Sequence, residues 1–195
     1  MGAPRVVNDI DALKALAHPR RQAVLRQLEL HGPATSADLA RMLDLNTGAT
    51  SYHLRELARF GFVEEAPERA HGRERWWRAV RADLRFPRRS RQDAQTRDVV
   101  DEMNRLAFEA DLELFAAAQR DTDDPGEWAD ALPYSRGSVH VTVEELRRFF
   151  EEYIALLNRY KRPEGEPLPP GARTVLTRFL AFPAPPPGDG EGDHR

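Results

Sequence analysis

Thr47, Ser51 and Arg55 recur every fourth residue, so on a helix they share one face, with Tyr52 beside them. Hydroxyls donate or accept as required, a guanidinium offers paired donors, and Gly48 lets the backbone approach closely. That set suits hydrogen bonding to base edges in a groove, where arginine pairs two-pronged with guanine. Further along, Arg69, His71, Arg73 and Arg75 gather around Gly72. Such a group can meet phosphates or a narrow minor groove. Taken alone, the helix face reads equally as a solvated polar surface, and the arginine group as a solvated charged hairpin.

These residues need elements to hold them. "DIDALKALA", residues 9–17, has the spacing of a helix, and Pro19 suits the first turn of a second helix over 19–30 that Gly32-Pro33 stops. Thr35 with Asp38 three residues on is a capping-box start for a short third helix. "DLNTG" is a turn. Asn46 precedes a fourth helix over about residues 47–60, whose inward face is Thr50, Leu54 and Leu57, and Gly61 ends it. "FVEEAPE" and "RERWWRAV" then read as two strands around the arginine-rich loop. Helices followed by a β-hairpin is the order of a winged helix, in which a helix-turn-helix pair lays its second helix in the DNA major groove.

Residues 93–120 contain neither Gly nor Pro and read as one helix, about 42 Å long at 1.5 Å per residue. Val100, Met103, Ala107, Ala110 and Leu114 step by three and four, the seam of a helix that pairs with another. This predicts a dimer interface; the alternative is that the helix roofs its own domain. "SVHVTV" alternates like a strand, Thr142 and Glu145 open a capped helix over 143–161, and "ARTVLTRFLAF" reads as a second strand pairing with the first. The aromatic residues of this strand–helix–strand either line a pocket for a small-molecule effector or form the core of a small layer. The tail "PAPPPGDGEGDHR" is too polar and too rich in Pro and Gly to fold.

Charge divides the chain. Residues 1–91 hold 17 Lys and Arg against 11 Asp and Glu, a balance of +6, and residues 92–195 hold 12 against 21, a balance of −9. A basic first half joined to an acidic second half points to a polyanionic partner for the first half alone. The 195-residue chain has no apolar run of membrane-spanning length and no secretory leader pattern, which makes a cytoplasmic protein the expectation. No cysteine is present, so thiolate metal sites are excluded. The six histidines, 18, 31, 53, 71, 140 and 194, show no pair four apart and each reads as isolated. No nucleophile–base order, phosphate loop or paired catalytic carboxylates stand out, which argues against an enzyme.

"LKALAHPRRQAVLRQLELHG", "ATSADLARMLDLNTGATSYHLRELARFGFVEE" and "HGRERWWRA" resemble the ArsR-type winged-helix transcriptional regulators of bacteria, over roughly residues 10–80. The resemblance implies a homodimer on a palindromic operator, with Asn46, Thr47, Ser51, Tyr52 and Arg55 at the groove-facing positions. It also matches His53 to a histidine common in the family, expected under the helix rather than at a base. Where metal-sensing members carry a Cys-x-Cys pair, this chain has Thr35 and Ala37, and neither supplies a thiolate. No metal and no cofactor is therefore expected.

The sequence thus predicts an α+β protein, mostly α: an N-terminal winged helix-turn-helix, a long dimerisation helix and a small C-terminal strand–helix–strand layer. The expected domains are 1–91 for DNA binding, 92–182 for dimerisation with the C-terminal α+β region, and 183–195 as a disordered tail. The expected function is a sequence-specific, double-stranded-DNA-binding transcriptional regulator that acts as a homodimer, with wing 66–75 on the backbone or minor groove. The competing class is a winged helix used for protein–protein contact without sequence-specific DNA binding.

Overall fold

The computed structural model describes residues 4–69, 74–120, 127–162 and 166–185. Its elements run β1 (Arg5–Val6), α1 (Ile10–Leu16), α2 (Pro19–His31), β2 (Ala34–Thr35), α3 (Ser36–Met42), α4 (Thr47–Arg59), β3 (Val63–Glu65), β4 (Trp76–Ala79), β5 (Leu84–Arg85), α5 (Ala94–Arg120) and α6 (Val143–Tyr160). The chain divides into two compact units, Met1–Arg136 and Gly137–Arg195.

Helix boundaries in the first unit follow local chemistry. Asp9 caps α1, accepting from the Asp11 amide at 2.9 Å. Pro19 opens α2, where a missing N–H costs nothing, and Gly32 closes it at φ +82°, a conformation that favours glycine. At α3 the capping box is reciprocal: the Asp38 amide donates to Thr35 Oγ1 at 3.2 Å, and the Thr35 amide and hydroxyl donate to Asp38 Oδ2 at 3.2 and 2.7 Å. The Thr35 hydroxyl is the main cause that lowers the Asp38 pKa, so the carboxylate form that the cap requires is favoured.

The wing strands pair antiparallel, Val63 opposite Ala79 and Glu65 opposite Trp77. Two pairings were absent from the sequence reading. β2 joins the free edge of β4, Ala34 opposite Trp77, giving the order β2-β4-β3. β1 pairs parallel with β5, Arg5 opposite Leu84. Ladders of two residues are too short to leave a period in a sequence.

Leu13, Val24, Leu39, Leu54 and Leu57 are fully buried and come from all four short helices, so one core holds the domain. α5 closes it from outside the winged helix. Val100 and Met103, each 6% exposed, pack into this core, and Gln22 Nε2 donates to the Met103 carbonyl at 3.1 Å. Two of the five seam residues are thus committed to their own protomer. Ala107, Ala110 and Leu114 are half-buried, while Phe108, Leu112 and Phe115 are exposed, Leu112 at 66%.

The second unit corrects the expected C-terminal layer. α6 forms as expected, with the Thr142–Glu145 capping box in place. The two flanking strands do not: residues 138–142 and 172–182 form no ladder, and no residue over 137–162 or 166–185 is buried. Alternation such as Val139, Val141 and Val143 fixes which way side chains point, but a strand also needs a neighbour in register. These valines instead face solvent. What remains of the layer is Phe179 against α6, its ring 5.6 Å from Phe149, 5.7 Å from Phe150 and 4.9 Å from Tyr153. The tail from residue 186 lies outside the described residues.

Candidate nucleic-acid interface

α4 sorts its residues cleanly. Thr50, His53, Leu54 and Leu57 point into the core, and Thr47, Gly48, Tyr52 and Arg55 are exposed, with Ser51 half-buried. The helix starts where Asn46 Oδ1 accepts from the Ala49 amide at 2.7 Å. Asn46 is therefore spent partly on capping, and it sits exposed at the leading end of the outward face. The Thr50 hydroxyl donates back to the Asn46 carbonyl at 3.1 Å, so a polar residue is buried without an unpaired group. Arg55 Nε donates to the Ser51 carbonyl at 3.2 Å, so the side chain lies back along its own helix.

The wing stands beside this face. Ser51 and Arg55 of α4, Arg75, Glu74 and Trp77 of the wing, and Thr35, Ser36 and Ala37 at the start of α3 enclose one open cleft of about 420 Å³. The fold puts Ser51, Arg55 and Arg75 on a common cleft. It also adds a third wall, the first turn of α3, whose sequence signal was the capping box. Arg75 Nη1 lies 3.3 Å from Glu65 Oε1, and both are exposed. Arg78 is tied to Glu64 and Glu68 at 2.7 and 2.8 Å and braces the hairpin. Arg69 is exposed in the short turn Pro67–Arg69 and is not among the residues enclosing the cleft. His71 and Arg73 lie outside the described residues.

Two histidines read as isolated are brought together. His53, 5% exposed beneath α4, lies ring to ring with His18 at the start of α2. Helical spacing tests only pairs on one element and misses pairs made by two. Among the described residues no three His, Cys, Asp or Glu side chains are placed to hold a metal, and no helix is long and apolar enough to cross a membrane.

The span from the end of α1 through β3 decides the class of the domain. Residues 16–66 match the family described as a helix-turn-helix domain. In that domain α3 and α4 are the paired helices, and α4 presents the sorted face described above. Among solved structures, the chain is similar to the transcriptional regulator Tm0710 from Thermotoga maritima, at 12% identity over 73% of this chain and 77% of that one, with a TM-score of 0.32. It is also similar to RV1404 from Mycobacterium tuberculosis, at 13% identity over 78% of this chain and 84% of that one, with a TM-score of 0.30. No curated protein matches the chain significantly in sequence.

Proposed function

We propose that this chain is a sequence-specific DNA-binding transcriptional regulator of the ArsR-like, non-metal-sensing kind, working as a homodimer on a palindromic operator. The observation that carries the reading is the shared cleft: Ser51 and Arg55 of α4 and the wing arginine Arg75 front onto it together, with both leucines of α4 buried on the opposite side. A rod-shaped polyanion fits such an arrangement. α4 enters the major groove through Asn46, Thr47, Gly48, Ser51, Tyr52 and Arg55, and the wing, with Arg69, His71, Arg73 and Arg75, takes the backbone or the minor groove. The basic balance of residues 1–91 supports the same partner. Domain 1–91 carries recognition and 92–182 assembly. Such a protein works in the bacterial cytoplasm and performs no catalytic step.

For the dimer interface, Val100 and Met103 serve the fold of each protomer, and Ala107, Ala110 and Leu114 with the exposed Phe108 and Leu112 offer the surface. Small residues at 107 and 110 let two helices approach closely. An effector, if one acts, is a small molecule held against the aromatic face of α6 around Phe179.

The test is a selection of bound duplexes from random DNA with the full chain, followed by binding at several salt concentrations. The reading expects an enriched inverted repeat and an affinity that falls steeply with salt, because phosphate contacts release counterions. Binding to a protein partner with no enriched duplex would instead make the winged helix a protein-contact module.

A further inference from the structure

The C-terminal end of α4 is closed in a way that leaves two carbonyls looking outward. The Gly61 amide donates to the Ala58 carbonyl at 2.9 Å and the Phe62 amide to the Leu57 carbonyl at 3.0 Å, with Gly61 at φ +64°. This is a Schellman closure, and it needs glycine at that φ. The carbonyls of Phe60 and Gly61 are left over. Both are taken by one side chain from the far N-terminus: Arg5 Nη2 donates to Phe60 O, and Arg5 Nη1 donates to Gly61 O at 2.8 Å. The same guanidinium lies 5.0 Å from the centre of the Phe62 ring. A Cβ on Gly61 would come within 3.3 Å of Arg5 Nη1, so this glycine also makes room for the arginine.

Arg5 is itself held. Its amide donates to the Asp83 carbonyl at 2.9 Å, the Val7 amide donates to the Arg85 carbonyl at 2.8 Å, and Val7 is buried in the core. β5 is stiffened by the Arg85–Asp83 ion pair at 2.8 Å, and the chain then runs on to α5. A cation at a helix C-terminus, where partial negative charge collects, is favoured in its own right. Here it also joins α4 to a ribbon whose chain continues through residues 86–93 to the proposed dimer helix.

We infer that Arg5 is a positioning residue for DNA recognition: its bridge from the β1–β5 ribbon to the Phe60 and Gly61 carbonyls fixes the direction of α4 relative to α5, and so sets the separation of the two recognition helices in a dimer. The inference rests on the DNA-binding reading. Arg5 itself touches no base.

The experiment uses the full chain and duplexes carrying two selected half-sites with the spacer lengthened or shortened one base pair at a time. Wild type should bind one spacing best, and Arg5→Ala should keep the half-site base preference and the dimer while that spacing preference shrinks on the order of tenfold. Arg5→Lys should recover part of it, since an ammonium can reach a carbonyl but cannot bridge two as a planar fork. Arg5→Gln gives the same comparison without charge if the alanine variant is too unstable to assay. Amide exchange without DNA is the second readout, and Gly61 and Phe62 should exchange faster in Arg5→Ala than in wild type. A lowered melting temperature with an unchanged spacing profile would reduce Arg5 to a stabilising contact and overturn the inference. So would unchanged exchange at Gly61 and Phe62, whether or not DNA is bound. A wild type that binds no duplex sinks the DNA reading instead, and exchange still reports whether Arg5 holds the helix end.

Discussion

The imidazoles of His18 and His53 lie 5.0 Å apart, centre to centre, and neither Nδ1 has a hydrogen-bond partner among the described residues. Burial is the main cause that holds both pKa values below the ordinary 6.5, with the positive charges of Arg21 and Arg20 adding to it and His18 adding to it for His53. In the unfolded chain both groups titrate near the ordinary value. Between the two values the unfolded state therefore binds more protons, and stability falls as pH falls. Above about pH 6.5 both states hold neutral rings and nothing is lost. Denaturant midpoints should hold steady above neutrality and drop as pH is lowered toward about 5. His53→Gln should flatten that drop, and a drop of the same size in the variant would clear the pair of responsibility.

Arg55→Ala should weaken binding to the selected operator and relax preference at one base pair of each half-site. An arginine–guanine contact discriminates by roughly 1–3 kcal/mol. The side chain is exposed on the outward face of α4, so its removal should leave thermal stability unchanged. Competition binding against a library of singly altered operators reads this out. Wild-type preferences at every position would show that α4 is read through other residues.

Removing the wing cation should act on all sequences alike. Arg75→Ala should lower specific and non-specific affinity together and reduce the slope of affinity against salt by about 1, one phosphate contact's worth. Its ion pair with Glu65 is exposed, so losing it should cost the fold little. A salt slope identical to wild type would take Arg75 off the DNA.

Two substitutions on one helix should separate folding from assembly. Met103→Ala removes a buried side chain and should destabilise the protomer by about 2–5 kcal/mol, with little direct effect on association. Ala107→Glu with Ala110→Glu should leave the winged helix folded and weaken the dimer, because each introduced charge would be buried unpaired. Sedimentation and chemical denaturation together distinguish the two. A double variant that stays a tight dimer would move the interface off α5.

The winged helix was legible because its signals are local: a capping box at Thr35 and Asp38, Gly61 at the end of α4, and an inward Thr50, Leu54 and Leu57 at helical spacing. What the sequence could not show is partnership. The seam on α5 is visible as a stripe, but a stripe does not say which body it faces, and its first two residues turn into the core of their own domain. The valines before α6 alternate correctly for a strand that finds no neighbour. His18 and His53 meet only because α2 and α4 cross, and Arg5 reaches the end of α4 through an arm too short to have a pattern. The polar stripe of Thr47, Ser51, Tyr52 and Arg55 on α4 is legible from spacing, whereas the common cleft of Ser51 and Arg55 with α3 and the wing needs the fold.

The division of α4 into an inner and an outer face has a consequence for descent. Thr50, His53, Leu54 and Leu57 are fixed by packing, while Thr47, Tyr52 and Arg55 are exposed, Tyr52 with its ring in an edge contact with His53 and Arg55 bonded only within its own helix. Exchanges at exposed positions of this kind usually alter stability by no more than about 0.5 kcal/mol. A duplicated copy of such a gene can therefore wander among target sites one residue at a time, and every intermediate along the way remains a folded protein on which selection can act.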